Sequence, residues 1–576
     1  RRSRTAPRGL ARRLLDPLGL SGTYVTGEDR SSLARATSRS FAVTLDYGLV
    51  PPSASVPAAP RFLARLIQKL PPFIGKSGFA TGLDHARLRL SPTRVRVRSF
   101  LSGSDAARTS FRVPVADSGD VHLVPARSNP KAWRNTLSID MLPLVGVQLR
   151  ADVASQRDLR DYGDSTPIAR VARLARRSLL GLAVGFEVQR TFGTFFGLTP
   201  QVASWLRPRG TLSSGFSLTR DPNGRAPLRA AGDSAGAFRL PTAFSNSQRL
   251  DLGTQVDLSR LGRGLFGDAS VVTRALARVT TIDLGLTRDR TSTFSGVAVP
   301  PGFGYQLAWI GVDGFRSQRG VFATSAAENS TRHASAAASL PLGIRVSSTY
   351  QWTRGLTWLL RADGQLPISS WSREWPSATV TWTVSPSRGT VGRVLTSLTA
   401  QLRLSERHSA SERATLGGRG RALSASAERS FAPSATASWG RGILTSFDLA
   451  RVRTENVTTG NLFRTSRVQR NGALSFAWRP PVSLVRLKTD VRTTARYTYA
   501  RNTSCLQTAG QPVCMPFVDS RRTEANLTLD TSFPPSLSAG FQMAYVLNDE
   551  RQISRKNSQL ALTAFVQLNT SVGQVR

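Results

Sequence analysis

The sequence predicts an all-β chain: a large antiparallel transmembrane β-barrel, or the C-terminal part of one, carrying two short amphipathic helices. Three observations predict it. Apolar and polar residues alternate at period two in runs of about ten residues, the length a tilted strand needs to cross a bilayer. Arg, Asp, Gln and Gly sit deep within the polar side of these runs rather than at their ends. Tyr47, Trp309, Trp478 and Tyr499 fall near run ends, where interfacial aromatic girdles lie. A soluble β-sandwich also alternates, but its strands are usually about 5–6 residues long.

The runs can be followed along the chain. In SFAVTLDYGLV, Phe41, Val43, Leu45, Tyr47 and Leu49 oppose Ala42, Thr44, Asp46 and Gly48. In HARLRLSPTRVRVRSF, Arg87 and Arg89 alternate with Leu88 and Leu90, and Arg94, Arg96 and Arg98 with Val95 and Val97. The apolar parity slips between these two halves, so a bulge, bend or turn is expected around Pro92. VGVQLRADV sets Val145, Val147, Leu149 and Val153 against Gly146, Gln148, Arg150 and Asp152. LAVGFEVQR sets Leu182, Val184, Phe186 and Val188 against Gly185, Glu187 and Gln189. LDLGTQVDL opposes Leu250, Leu252, Val256 and Leu258 to Asp251, Gly253, Gln255 and Asp257. Later runs place Ala378, Val380, Trp382 and Val384, then Leu537 to Leu547, then Leu560 to Leu568, in the same alternation. Polar segments rich in Gly, Pro, Asn and Asp, such as TRDPNGRAP and AVPPGFG, separate them as turns. With short turns on one side and longer loops on the other, the chain supplies about 20 to 26 strands.

Two segments break the pattern. Residues 57–73 place Phe62, Leu63, Leu66, Ile67 and Leu70 along one helical stripe beside Arg61, Arg65 and Lys69. Residues 166–180 offer Thr166 as N-cap and Pro167 in the first turn, with Ile168, Val171 and Leu174 on one face. Both read as short amphipathic helices, lying either on anionic lipid or packed on the rim.

Composition narrows the partners. The chain has 576 residues and a formal net charge of +41. Lysine occurs only at Lys69, Lys76, Lys131, Lys488 and Lys556, and the arginines run from end to end. Charge argues for a polyanion partner when it is clustered, so no nucleic-acid partner is expected. No run of 18 apolar residues suggests a transmembrane helix. The opening RRSRTAPRGLARRLLDPLGL is basic without a long apolar stretch and cleavage site, so residues 1–576 are expected to form a single barrel region within a longer chain.

Cys505 and Cys514 lie close together in RNTSCLQTAGQPVCMPFVDS, which reads as a loop. They make a candidate disulfide of an oxidising compartment, the alternative being two free thiols. The glycines of GRGLFG (Gly262, Gly264, Gly267) match a dinucleotide fingerprint, but no βαβ pattern surrounds them, so the segment reads as a turn. Around IGKS the earlier phosphate-loop glycine is absent. Asp158, Asp161 and Asp164 are neutralised by Arg157 and Arg160, and the four histidines stand apart without zinc-ligand spacing. The residues compose no active site, cofactor site or metal site, and no enzyme activity is expected.

The order of segments adds a resemblance. TLDYGLVPPSASVPAAPRFLARLIQKLPPF runs from a strand through proline into an amphipathic helix, and ARLRLSPTRVRVRSFLS follows. Then come KAWRNTLSIDMLPLVGVQLRADVASQRDLRDYGD, FFGLTPQVASWLRPRGTLSSGFSLTRDPN and the Trp-Pro entry WPSATVTWTV. This succession resembles the C-terminal part of the SprA family, the giant outer-membrane translocon of type IX secretion and gliding motility. The resemblance implies a protein-conducting pore in the outer membrane, secreted protein cargo, and partners that plug the barrel or occupy a lateral gate. The chain departs from the family in lacking its upstream half, in its higher arginine content and in ending NTSVGQVR. Another barrel transporter, porin-like or lipopolysaccharide-exporting, is the alternative, and a secreted β-rich adhesin the second. On the barrel reading Arg94, Arg96, Arg98, Arg150 and Glu187 face the lumen, because arginine on the lipid face at mid-bilayer costs about 2–4 kcal/mol.

Overall fold

A computed structural model describes residues 17–568 except 32–33, 52–54, 58–86, 90, 111–125, 161–177, 180–181, 201, 221–227, 230–237, 240, 299, 362–363, 387–393, 416–417, 459–460, 479–489, 509 and 534–536. The all-β expectation holds: among the described residues 21 strands belong to a large antiparallel sheet. By contacts the chain divides into two compact units, residues 1–254 with 286–330 and 356–367, and residues 255–285 with 331–355 and 368–576.

In the first unit the long strands are β1 (Leu18–Arg30), β2 (Ala34–Leu49), β3 (Arg94–Ser110), β4 (Lys131–Leu144), β5 (Val147–Asp158), β6 (Phe186–Leu198), β7 (Leu206–Arg220) and most of β8 (Thr242–Val256). From β1 to β7 each pairs antiparallel with the next. The chain bends at Ser91–Thr93 between Arg87–Arg89 and β3, as the parity slip at Pro92 requires. The strands β9 (Ile282–Val297), β10 (Ser325–Ser339) and β11 (Ile344–Arg361) follow, each divided between the two units.

The second unit holds the later strands: β12 (Gly364–Val384), β13 (Leu395–Thr415), β14 (Gly418–Trp439), β15 (Leu444–Thr458), β16 (Asn461–Trp478), β17 (Val491–Gln507), β18 (Met515–Phe533), β19 (Leu537–Glu550) and β20 (Arg555–Leu568). From β12 to β20 each strand again pairs with its successor. At about 3.3 Å per residue the 22-residue β14 is more than twice as long as a bilayer's hydrocarbon span of about 30 Å before tilt is counted. Strands of this length carry the sheet well beyond any membrane-sized portion of it.

Helices appear where alternation predicted none. The segment read as a glycine-rich turn is α1 (Leu258–Phe266), followed by α2 (Val271–Leu276). Leu258 therefore leaves the alternation that ends at Val256. Asp257 caps α1 by accepting from the Arg260 amide at 3.1 Å, and Gly267, at φ 77°, closes it. Gly262 lets the two helices meet, since a Cβ there would stand 3.0 Å from Leu276 Cδ1. Two further helical turns, α3 (Phe303–Gln306) and α4 (Val312–Arg316), occupy the stretch between β9 and β10. Trp309 lies between them, so it is no strand-end residue.

The two sequence-predicted helices, 57–73 and 166–180, lie almost wholly outside the described residues. At their edges the chain is extended: Ser55–Pro57 pairs with Arg87–Arg89, and Ser178–Leu179 with Leu182–Ala183. No helix among the described residues is long and apolar enough to cross a membrane, which leaves strands untouched as crossing elements.

Candidate conduit face and its opposite

In a sheet, residues opposite one another in register share a face, so pairing decides which side chains stand together. In the first unit Arg98 of β3 pairs with Asp46 of β2 and Thr136 of β4, and Arg96 with Gly48 and Ser138. Arg94 pairs with Asp140, which pairs in turn with Arg150 of β5, and Ser138 pairs with Asp152. Arg94, Arg96, Arg98 and Arg150 therefore occupy one polar face. Arg98 Nε lies 3.3 Å from Asp46 Oδ1, and Arg150 Nε lies 2.7 Å from Asp152 Oδ2. Ser138 Oγ donates to the other Asp152 oxygen at 2.6 Å. These ion pairs are open to solvent, so they set local charge more than stability.

The reverse of the same strands carries Val43, Leu45 and Tyr47, then Val95 and Val97, then Leu137 and Ile139, then Leu149 and Val153.

Glu187 stands with this apolar face and away from the arginines, contrary to expectation. The β5–β6 register shifts between Glu187 and Gln189, so alternation does not run unbroken through FEVQ. Glu187 is buried, accepts from Ser155 Oγ at 3.0 Å, and pairs with Arg190 Nη2 at 2.7 Å. Both partners belong to the register row opposite in parity to Arg150 and Asp152.

Farther along this face the apolar character thickens into a small core of Phe216, Leu218, Phe244, Phe294, Tyr305 and Trp358. The α3–α4 segment covers it. Phe244 stacks on Phe294 with centroids 4.6 Å apart, and Tyr305 meets both edge-on. The Tyr305 hydroxyl shares a 2.8 Å hydrogen bond with Ser292, while the Asn246 amide donates to the Tyr305 carbonyl. Burial raises the Tyr305 phenol well above its ordinary range, outweighing the hydrogen bonds that oppose the rise. Arg316 stacks over Trp358 at 5.1 Å. The segment thus seals the face opposite the arginine cluster.

The second unit repeats the division. One register row runs through Arg467, Asn502, Ser520, Glu550 and Arg555, and the next carries Arg522 and Asn548. These groups line a polar groove of about 470 Å³. On the other face a row runs Leu474, Ala495, Leu527, Met543 and Leu562, beside Gly472, Tyr497, Ala525, Tyr545 and Leu560. Leu474, Tyr497, Leu560 and Leu562 are exposed, with nothing packed over them among the described residues. From Val491 to Tyr499 this apolar portion spans nine positions of β17, the length of a bilayer-crossing strand. Beyond Tyr499 the same face turns charged within one row, at Arg501 and Arg521.

Cys505 and Cys514 form a disulfide with an S–S distance of 2.07 Å. The segment around them is in part the expected loop and in part strand: Cys505 lies near the end of β17, and Cys514 stands in the connection that directly precedes β18. Among the described residues no three His, Cys, Asp or Glu side chains converge as metal ligands.

No family model matches the chain, and no curated protein does. Among solved structures, a ferric enterobactin receptor mutant from Pseudomonas aeruginosa aligns at 10% identity over 96% of this chain and 80% of that one, with a TM-score of 0.21. The siderophore receptor PirA from Acinetobacter baumannii aligns at 9% identity over 96% and 80%, with a TM-score of 0.21. The translocation pore of the P pilus usher PapC aligns at 9% over 96% and 99%, with a TM-score of 0.15. Scores of this size do not amount to a shared fold, so the functional reading rests on the sheet's own two faces.

Proposed function

We propose that the chain is an outer-membrane β-barrel transporter whose arginine-bearing face lines a water-filled, protein-conducting pore of the type IX secretion kind. One observation carries this reading. In both units the same strands present apolar residues on one face and ionic groups on the other, and in the second unit the apolar portion is exposed. Exposed apolar area of this extent is stable against lipid and unstable in water. Charged groups on the reverse then require an aqueous lumen, because lipid does not solvate them. A long antiparallel sheet reaches lipid without unsatisfied edges by closing on itself. Secreted protein cargo, plug or gate partners and outer-membrane lipid are the partners this reading names.

Membrane fractionation and electrophoresis test the coarser statement. The protein should sediment with outer membranes, resist carbonate extraction and change mobility on heating. A freely extracted, unshifted product would point to the adhesin reading. Passage distinguishes the finer one: a strain deleted for the chain should retain folded cargo in the periplasm while small-solute uptake stays normal. The opposite pattern would identify a porin-like transporter.

A further inference from the structure

The charged row that ends the apolar portion of the second unit is incompletely neutralised. Across neighbouring strands it runs Arg451, Val468, Arg501, Arg521, Asp549 and Lys556, with Arg470 one row nearer the apolar side. Asp519 matches Arg501 through two hydrogen bonds of 3.1 and 3.0 Å. Arg451, Arg470 and Arg521 make no ion pair within 4 Å among the described residues, although Asp519, held by Arg501, also feels the charge of Arg521. Arg470 and Arg521 both lie on the ring of Tyr499, at 5.4 and 5.8 Å from its centroid. Each is drawn to the ring, yet two guanidinium groups held on one ring repel each other. The Nε of Arg521 is moreover enclosed without a hydrogen-bond acceptor. An anion seated between the two guanidiniums would relieve both conditions.

Directly beside this cluster, on the same face, lies a depression of about 450 Å³ lined by Gly472, Leu474, Ala495, Tyr497, Leu527 and Met543. Gly472 creates it: no atom stands within 4 Å of where its Cβ would be. An apolar trough ending at arginines with no carboxylate in contact suits a lipid, the acyl chain in the trough and the phosphate one to two register rows away.

We propose that this is a binding site for one phosphate-bearing membrane lipid. Its acyl chain lies in the Gly472 depression and its phosphate bridges Arg470 and Arg521, with Arg451 nearby. The proposal rests on the membrane-spanning reading above. Arginine suits the role because its fork donates two hydrogen bonds to phosphate oxygens at once.

Native mass spectrometry of the detergent-purified full chain tests it, with dioleoylphosphatidylglycerol against dioleoylphosphatidylcholine as probes. The wild type should retain one phosphatidylglycerol in preference to phosphatidylcholine. R470Q/R521Q should weaken that binding roughly tenfold or more. G472L should weaken it too by filling the trough, while Arg522→Gln, on the opposite face, should change nothing. Equal retention of the two lipids by the wild type, or unchanged binding in R470Q/R521Q, would overturn the proposal. So would displacement by inorganic phosphate with G472L unaffected, which would mark a free-anion site. Reconstitution separates the two readings: a chain that resists carbonate extraction from vesicles but shows no lipid preference refutes this inference alone. A chain that never inserts refutes the membrane reading.

Discussion

Glu187 and Arg150 lie on adjacent paired strands and look alike in the sequence, each a charged residue within an alternating run. The register shift between Glu187 and Gln189 puts them on opposite faces, and their surroundings differ accordingly. Glu187 is buried and shared by Ser155 and Arg190, whereas Arg150 meets Asp152 in solvent. Glu187→Gln should therefore cost about 1–3 kcal/mol, read from urea unfolding of the reconstituted protein. Arg150→Gln should cost no more than about 1 kcal/mol. The reverse ranking would contradict the face assignment. Tyr305 gives a second test. Its raised phenol favours the neutral form in the folded chain, so its contribution is complete below pH of about 10 and is lost as pH climbs beyond that. In an ultraviolet titration the Tyr305 phenol should ionise above the ordinary tyrosine range. Tyr305→Phe should remove that step, and its persistence in the variant would deny the burial.

Elements fail to show in the sequence where a local rule is overridden by a neighbour. The α1 segment carries Gly262 and Gly264, which lower helix propensity and favour a turn. Three things make it a helix: the Asp257 cap, the closing Gly267, and the packing of α2 where Gly262 has no side chain. The cap and the positive-φ glycine were present in the sequence, and DLSRLGRGLFG was open to a helical reading. Asp257→Ala should destabilise α1 by about 0.5–2 kcal/mol, measured as faster hydrogen exchange at Leu261 and its neighbours. The Asp257 carboxyl feels burial most, which raises its pKa. The Arg260 amide, the Ser259 hydroxyl and the Arg260 charge together outweigh that and lower it overall. Its contribution is thus present above the ordinary Asp range and fades as pH falls through the lowered value. Exchange protection in α1 should decline on acidification in the wild type, and much less in Asp257→Ala.

At the scale of the molecule, the arginines decide what the polar face does. Arg94, Arg96 and Arg98 form a strip held by Asp46 and Asp140 but not cancelled by them. If that strip borders an aqueous pore, the pore should prefer anions. Arg96→Glu should lower the anion-to-cation permeability ratio in planar bilayers while leaving insertion and the heat-dependent gel shift intact. A variant that fails to insert would instead place Arg96 against lipid or packed protein. The disulfide between Cys505 and Cys514 ties the end of β17 to the residue before β18.

The sequence by itself determined the class of fold and the chemistry of the faces. Period-two alternation is a property of the extended backbone, and it survives in nearly every run, from Phe41–Tyr47 to Leu560–Leu568. The same periodicity placed Arg94, Arg96, Arg98 and Arg150 together, because no bulge intervenes between those positions and their partners. Only the tertiary structure decided three further matters. It turned Glu187 away from the arginines, made helices of Leu258–Leu276 and drew the boundary at Tyr499 where apolar gives way to charged. Each depends on register between strands or contact between distant segments. A one-residue shift reverses every side chain beyond it, and a single chain read in isolation carries no partner against which to count.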